Sequence, residues 1–179
     1  MNSGRHYPSM LRMAIATLSV FLIFSCDAPV KDDKALKDAM PADSVAANVR
    51  FYAETWDAVI NQGRVSLLDT AFSSDIVIRT SPADIHGIDS SKAFYANYVT
   101  GFSERQFIVK DIFGQGDEVF KYWVFKGKHT GEFMGIKPTG KVISVEGATV
   151  AHLRNGKIVE ERDFFDNLEF MQQLGLIPR

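Results

Sequence analysis

Residues 127–178 read GKHTGEFMGIKPTGKVISVEGATVAHLRNGKIVEERDFFDNLEFMQQLGLIP, and this stretch carries the clearest structural signal in the chain. Its segments 142–153 and 157–165 are rich in β-branched and aromatic residues, and Asn155-Gly156 separates them. This pattern predicts two antiparallel strands joined by a tight turn. The segment 167–174 follows as a short helix or turn, and the next residue, Gly175, is of the type that often ends helices.

Upstream of this stretch, helical patterns give way to strand patterns. Apolar residues spaced three and four apart predict a helix that starts at Ser44 and runs to about Asn61, before Gly63. Further elements are expected in the order short helix 65–70, strand 75–79, loop 80–87, helix 90–101, and strands 106–112 and 117–128. Because helices precede a run of hairpin-linked strands, we expect an α+β fold.

Residues 1–25 predict a secretory signal segment. Arg5 and Arg12 precede the apolar run 13–24, which is shorter than the roughly 20 residues of a membrane-spanning helix. Cys26 is the only cysteine and follows directly, in an arrangement that resembles a bacterial lipobox. Lipidation there would anchor the protein as a lipoprotein in the bacterial cell envelope, at the outer membrane or in the periplasm. Ordinary secretion is the alternative.

Residues 26–43 comprise Cys26 and a polar, proline-containing segment that predicts a flexible tether. The remainder, 44–179, has the size of one domain with a single core. The formal net charge is −2 and no basic patch stands out. We therefore expect no nucleic-acid partner.

The stretch 127–178 resembles the characteristic C-terminal part of the SnoaL-like polyketide cyclase (ester cyclase) family, within the nuclear transport factor 2-like superfamily. HTGEF at 129–133 and QLG at 173–175 carry the resemblance, and His86-Gly87 is a weaker match. It implies a cone-shaped domain in which N-terminal helices pack on a strongly curved mixed β-sheet around an apolar pocket. It also implies catalysis without metal or organic cofactor, a small hydrophobic ligand, and a homodimer formed through the outer face of the sheet.

The resemblance further implies a catalytic Asp before the QLG segment and a His on the preceding strand, which by position are Asp166 and His152. The register of the hairpin decides whether they meet. A two-residue turn at 155–156 places His152 opposite Val159 and Asp166 on the other face. A three-residue loop at 154–156, or a bulge, places both on one face. A carboxyl in an apolar pocket has a raised pKa and can both donate and accept a proton near neutral pH.

Seven more residues are candidates for lining the pocket and binding substrate: His129, Trp123, Arg162, Glu160, Tyr52, Trp56 and Phe164. Arg162 stands where the family usually has an aromatic residue, so it either makes the pocket suitable for a ligand carboxylate or pairs with Glu160 at the rim. His129 is either a cavity residue or a structural histidine. The histidines lack HExxH-type spacing, so no metal site is expected.

These features favour three hypotheses for function. The first is a cofactor-independent cyclase, isomerase or related lyase that acts on a small apolar carbonyl compound. The second is a non-catalytic envelope lipoprotein that holds a hydrophobic ligand in the same pocket. The third is a hydrolase or dehydratase on the same scaffold. The chain contains no GxSxG, phosphate-binding loop or dinucleotide fingerprint, which argues against the enzyme classes that depend on those motifs.

Overall fold

The computed structural model describes residues 42–178. The predicted signal segment, the predicted lipidation site Cys26 and the predicted tether up to residue 41 lie outside the described residues. Residues 42–43, for which the composition predicts part of the tether, belong to the first helix. Within the described range, no helix is long and apolar enough to cross a membrane.

Helices flank the sheet at both ends of the domain. They are α1 (Ala42–Trp56) with a π-helical turn (Asp57–Asn61), a 3-10 turn (Val65–Leu67) leading into α2 (Leu68–Ala71), α3 (Ile88–Gly101) and α4 (Asn167–Leu174). The predicted start at Ser44 is two residues late, because α1 begins at Ala42. Tyr52, Trp56 and Val59 lie on one face of the first helical segment and are buried, as the spacing of its apolar residues predicts.

Six strands form one mixed sheet. They are β1 (Phe72–Arg79), β2 (Ile85–His86), β3 (Phe102–Gln115), β4 (Glu118–His129), β5 (Val142–Arg154) and β6 (Lys157–Phe165). Their order is β2-β1-β6-β5-β4-β3. β1 runs parallel to β6, and every other neighbouring pair is antiparallel. The predicted α+β class with a mixed sheet is confirmed, while β2 forms inside the segment predicted as a loop.

The inner face of the sheet holds the core. Along β4, Val119, Trp123 and Phe125 are buried on this face. Register shifts interrupt β3 at 103–106 and 109–111. Such bulges bend a strand and increase its twist, so the long strands of this sheet can wrap around the side chains of α1 and α3.

The β5–β6 hairpin has a two-residue turn followed by a bulge. Asn155 (φ 52°) and Gly156 (φ 71°) form the turn between the paired residues Arg154 and Lys157, as a type I′ geometry requires. Leu153 pairs with Ile158, and His152 pairs with Glu160, so Val159 is the extra residue. Because the bulge reverses the alternation of β6, both Ile158 and Glu161 face the core.

Gly147 on β5 makes room for a cavity side chain. A Cβ atom at this position would lie 2.4 Å from Cζ2 of Trp123 and 2.7 Å from the carbonyl oxygen of Phe164. Both distances are far below van der Waals contact. The glycine therefore allows the indole of Trp123 to lie against β5.

Candidate active site

An aromatic cavity lies between the helices and the inner face of the sheet. Its apolar walls include Trp56 from α1, Tyr95 and Tyr98 from α3, Phe107 from β3 and Trp123 from β4. Phe170 of α4 also contributes to the wall. A concave apolar site with a few polar groups is the usual form of a small-molecule pocket.

Three polar side chains form a row across the cavity wall. Lys121 of β4 pairs with Thr149 of β5, and Thr149 pairs with Asp163 of β6. All three line the cavity. Directly paired residues on neighbouring strands present their side chains to the same face of a sheet, so the backbone register places a cation, a hydroxyl and a carboxyl side by side.

A hydrogen-bond chain orients Asp163. The indole Nε1 of Trp123 donates to Oγ1 of Thr149 at 2.9 Å, and this hydroxyl donates to Oδ1 of Asp163 at 2.7 Å. The hydroxyl of Tyr95 lies 3.2 Å from the second carboxyl oxygen, Oδ2. The direction of donation is fixed by Trp123, because an indole nitrogen can only donate. The Asp163 carboxyl is thus held in a defined orientation at the cavity wall.

Glu161 lies behind this wall and is fully buried. Its Oε1 accepts a hydrogen bond from the hydroxyl of Tyr52, and its Oε2 lies 2.8 Å from the hydroxyl of Tyr95. Tyr95 has one proton but contacts both Glu161 and Asp163. Both contacts are hydrogen bonds only when one of the two carboxyls is protonated and donates to the tyrosine oxygen. Tyr95 therefore links the two carboxyls as a proton-sharing pair.

Burial shifts the pKa values of all three ionisable groups toward their neutral forms. Burial raises the pKa of Glu161 to about 7, and the negative charge of Asp163 adds to this shift. Burial also raises the pKa of Asp163, although its hydrogen bond from Thr149 opposes the change. The pKa of Lys121 falls to about 8 because burial disfavours the ammonium, against the attraction of the two carboxylates. Proton exchange near neutral pH is therefore available at this site.

We expect the raised pKa of Glu161 to make stability depend on pH between its usual value of 4.5 and about 7. The folded state holds the proton more tightly, so this contribution is fully present below the lower value and is lost as pH rises through the upper one. Relative to Glu161→Gln, which cannot titrate, the wild-type free energy of unfolding should fall by about 1–3 kcal/mol between about pH 5 and pH 8. Urea denaturation measures it. A constant difference would mean that Glu161 ionises normally.

Lys121 is surrounded by aromatic faces. Its Nζ lies 4.3 Å from the ring centroid of Trp56, 4.6 Å from that of Tyr52 and 4.9 Å from that of Phe107. These distances allow favourable cation–π interactions.

Across residues 42–178, no group of three or more His, Cys, Asp or Glu side chains is arranged to hold a metal ion.

The predicted catalytic pair, Asp166 and His152, lies outside the cavity. Asp166 is exposed and caps α4, with Oδ1 accepting from the backbone N–H of Glu169 at 2.9 Å. His152 lies on the outer face of β5, where Nε2 is 2.9 Å from Oε1 of Glu118. The predicted bulge does place His152 on the same face of the sheet as Glu160. That face points away from the cavity, so the expectation that this pair lies in the pocket is wrong.

The capping role of Asp166 predicts a change in stability. Asp166→Ala removes the acceptor for the N–H of Glu169 and should lower the free energy of unfolding by about 1 kcal/mol. Asp166→Asn keeps an oxygen in the same place and should cost much less. Chemical denaturation of both variants measures the effect, and equal losses would show that the charge rather than the cap is responsible.

Two of the predicted pocket residues, Trp56 and Trp123, line the cavity. Tyr52 lies behind the cavity wall, where its hydroxyl donates a hydrogen bond to Glu161. Phe164 is 59% exposed, so its predicted place in the pocket is wrong.

Glu160 and Arg162 lie on the outer side of β6. Nε of Arg162 donates to Oε1 of Glu160 at 2.7 Å, and Nη2 of Arg79 lies 3.1 Å from Oε2 of the same carboxylate. Of the two alternatives for Arg162, the ion pair with Glu160 is the one that forms, although it lies on the outer face rather than at the rim of the cavity.

His129 has the environment of a structural histidine. It is fully buried, and its ring packs near those of Phe102 and Phe133. Nδ1 accepts a hydrogen bond from the backbone N–H of Thr139 at 3.2 Å. The residue is not among those that line the cavity, so its predicted place in the pocket is wrong, and its full burial favours the structural alternative.

Comparison with known proteins gives consistent matches. The model of the SnoaL-like polyketide cyclase family matches residues 46–174. Nogalonic acid methyl ester cyclase of Streptomyces nogalater is 30% identical over 124 residues, which cover 66% of this chain and 90% of that protein.

Solved structures resemble the fold as well. TsrD of Streptomyces laurentii aligns with a TM-score of 0.66 at 24% identity, over 73% of this chain and 97% of TsrD. A Catenulispora acidiphila protein with a ketosteroid isomerase-like fold aligns with a TM-score of 0.58 at 18% identity, over 69% of this chain and 91% of that one. The predicted nuclear transport factor 2-like architecture is thereby confirmed.

Proposed function

The chain belongs to the SnoaL-like polyketide cyclase family, and we propose that it is a cofactor-independent cyclase or isomerase that acts by acid/base catalysis on a small apolar carbonyl compound. One observation carries the proposal. Asp163 lies in the wall of an aromatic cavity and is held there by Thr149 and Tyr95. We assign to Asp163 the role of general base that the sequence suggested for Asp166.

Ring closure in such a site needs one proton removed and one returned. The Asp163 carboxylate takes a proton from the carbon next to a carbonyl, and the carbon that loses it attacks a second carbonyl of the same molecule. The new carbon–carbon bond leaves an alkoxide, which is protonated. Glu161 can supply that proton through the hydroxyl of Tyr95, which contacts Glu161 and lines the cavity. The proton taken up by Asp163 then returns to Glu161 through the same hydroxyl. The product has the same atoms as the substrate.

The aromatic walls assist this chemistry in two ways. They hold a flexible chain in a folded conformation, which removes part of the entropic barrier to ring closure. They also exclude water from the carboxyls, and this burial raises the pKa of Glu161 toward neutrality. A positioned acid–base group typically contributes a rate enhancement of about 10²–10⁴-fold.

The test is incubation of the purified chain with nogalonic acid methyl ester, the compound named for the relative, followed by liquid chromatography and mass spectrometry. A product of unchanged mass and new retention time, formed faster than without protein, supports a cyclase or isomerase. Formation of the free acid with release of methanol indicates a hydrolase, and loss of one water indicates a dehydratase. Tight binding with full recovery of the ester would favour the non-catalytic carrier.

We also propose that the protein is lipidated at Cys26 and held at the bacterial cell envelope. The apolar run 13–24 and the cysteine that follows it support this location. Cells grown with an alkyne fatty acid should label the wild-type chain and leave Cys26→Ser unlabelled. Equal labelling of the two chains would contradict the proposal.

A further inference from the structure

Lys121 occupies a position that is unusual for a lysine. It lies in the middle of β4 on the inner face, between Val119 and Trp123, and its side chain is 2% exposed. Transfer of an ammonium group from water into such a place is costly unless other groups compensate. The cost of burying this ammonium indicates that the positive charge of Lys121 has a function.

Within residues 42–178, the surroundings of the ammonium stabilise its charge but provide no close acceptor. The rings of Tyr52, Trp56 and Phe107 lie 4.3–4.9 Å from Nζ. The two carboxyls on β6 that face it, Glu161 and Asp163, influence its pKa. Neither forms an ion pair with Lys121 among the close pairs of residues 42–178.

The carboxyls have other hydrogen-bond partners. Tyr52 and Tyr95 contact Glu161, and Thr149 donates to Asp163. The ammonium has three N–H donors, and Lys121 lines the cavity. A ligand that enters the cavity therefore meets a desolvated cation next to a carboxyl base.

We propose that Lys121 binds an anionic oxygen of the ligand, so that the cavity selects carbonyl compounds that pass through an enolate. This inference deepens the proposed function and rests on it for the reaction. When the Asp163 carboxylate removes the proton, the electron pair of the C–H bond forms a carbon–carbon double bond. The carbonyl oxygen takes up the negative charge and accepts a hydrogen bond from the Lys121 ammonium. Donors aimed at a developing oxyanion are among the strongest contributions to catalysis.

The test uses 4-nitrophenol, which titrates near neutral pH and absorbs visible light only as the phenolate. Spectrophotometric titration of the probe bound to the wild-type chain should show its pKa lowered by about one unit, a tenfold preference for the anion. In Lys121→Met the same cavity lacks the cation and should favour the neutral phenol, which raises the pKa of the bound probe above its value in water. Lys126→Met, an exposed lysine on the same strand, is the matched control and should behave as the wild type.

Equal probe pKa values in the wild type and in Lys121→Met would overturn the proposal. A second measurement does not depend on the folding of the variant. The wild-type chain should bind 4-nitrophenolate at least about tenfold more tightly than 4-nitroanisole, its neutral analogue, and equal or absent binding of the two would also overturn the proposal. Because no turnover is measured, a chain that cyclises the ester but fails this test keeps its proposed function and loses only the role of Lys121.

Discussion

Asp163→Asn is expected to lower kcat/KM for ring closure by about 10²- to 10⁴-fold. The amide fills the same space, and its oxygen can still accept the hydrogen bond from Thr149. It has no basic oxygen, however, so the proton on the carbon next to the carbonyl has no acceptor. The loss should fall mainly on kcat, because the aromatic walls that bind the substrate are unchanged. Steady-state kinetics with nogalonic acid methyl ester measures it.

The matched control for this prediction is Asp111→Asn, which neutralises an exposed carboxylate on β3 and should leave kcat/KM unchanged. Urea denaturation of each variant separates a catalytic loss from a folding loss. A large loss in Asp166→Asn together with normal turnover in Asp163→Asn would return the catalytic role to the residue that the sequence suggested.

The order of helices and strands could be predicted because it depends on local patterns. Their content of β-branched and aromatic residues placed β5 and β6 within a residue of the observed bounds, and the Asn155-Gly156 pair marked the position of the turn between them. The short strand β2 was not predicted, since two residues give no periodic signal and Ile85 pairs with β1 only through the tertiary fold.

The carboxyl that we propose as the general base could not be identified from the same patterns. Alternation along β6 from Ile158 groups that residue with Glu160 and Arg162. The bulge at Val159 reverses this grouping and sends Glu161 and Asp163 inward. Nothing in the local composition marks Val159 as the extra residue. The bulge is evident only once both strands and their register are known.

The inward orientation of Lys121, in contrast, could be predicted from the sequence. Lys121 has the same parity on β4 as Trp123, which was expected to line the pocket. A lysine at such a position is either a residue whose chain reaches solvent or a buried charge. Only the packing of Trp56 and Phe107 around Nζ decides between the two.

Removal of the Glu161 carboxyl should produce the largest loss of stability. Glu161→Leu keeps most of the volume but leaves the hydroxyl of Tyr52 without its acceptor and removes one of the two carboxyls whose charge favours the Lys121 ammonium. Removing one partner of a buried hydrogen bond typically costs about 1–3 kcal/mol, and the weaker compensation of the Lys121 charge adds to this cost. We expect a decrease of this size in the free energy of unfolding at neutral pH, measured by urea denaturation.

The double variant Glu161→Leu with Lys121→Met shows whether the loss of stability comes from the charge of Lys121. Lys121→Met alone should cost less than Glu161→Leu, because Glu161 can take up a proton when its cation is removed, as its pKa of about 7 indicates. In the Glu161→Leu background the same lysine replacement should restore part of the lost stability, since an ammonium that has lost one of its two neighbouring carboxyls is then exchanged for an apolar chain. If Lys121→Met has the same effect in both backgrounds, the two side chains are not coupled. The stability of the site would then come from the tyrosine hydrogen bonds alone.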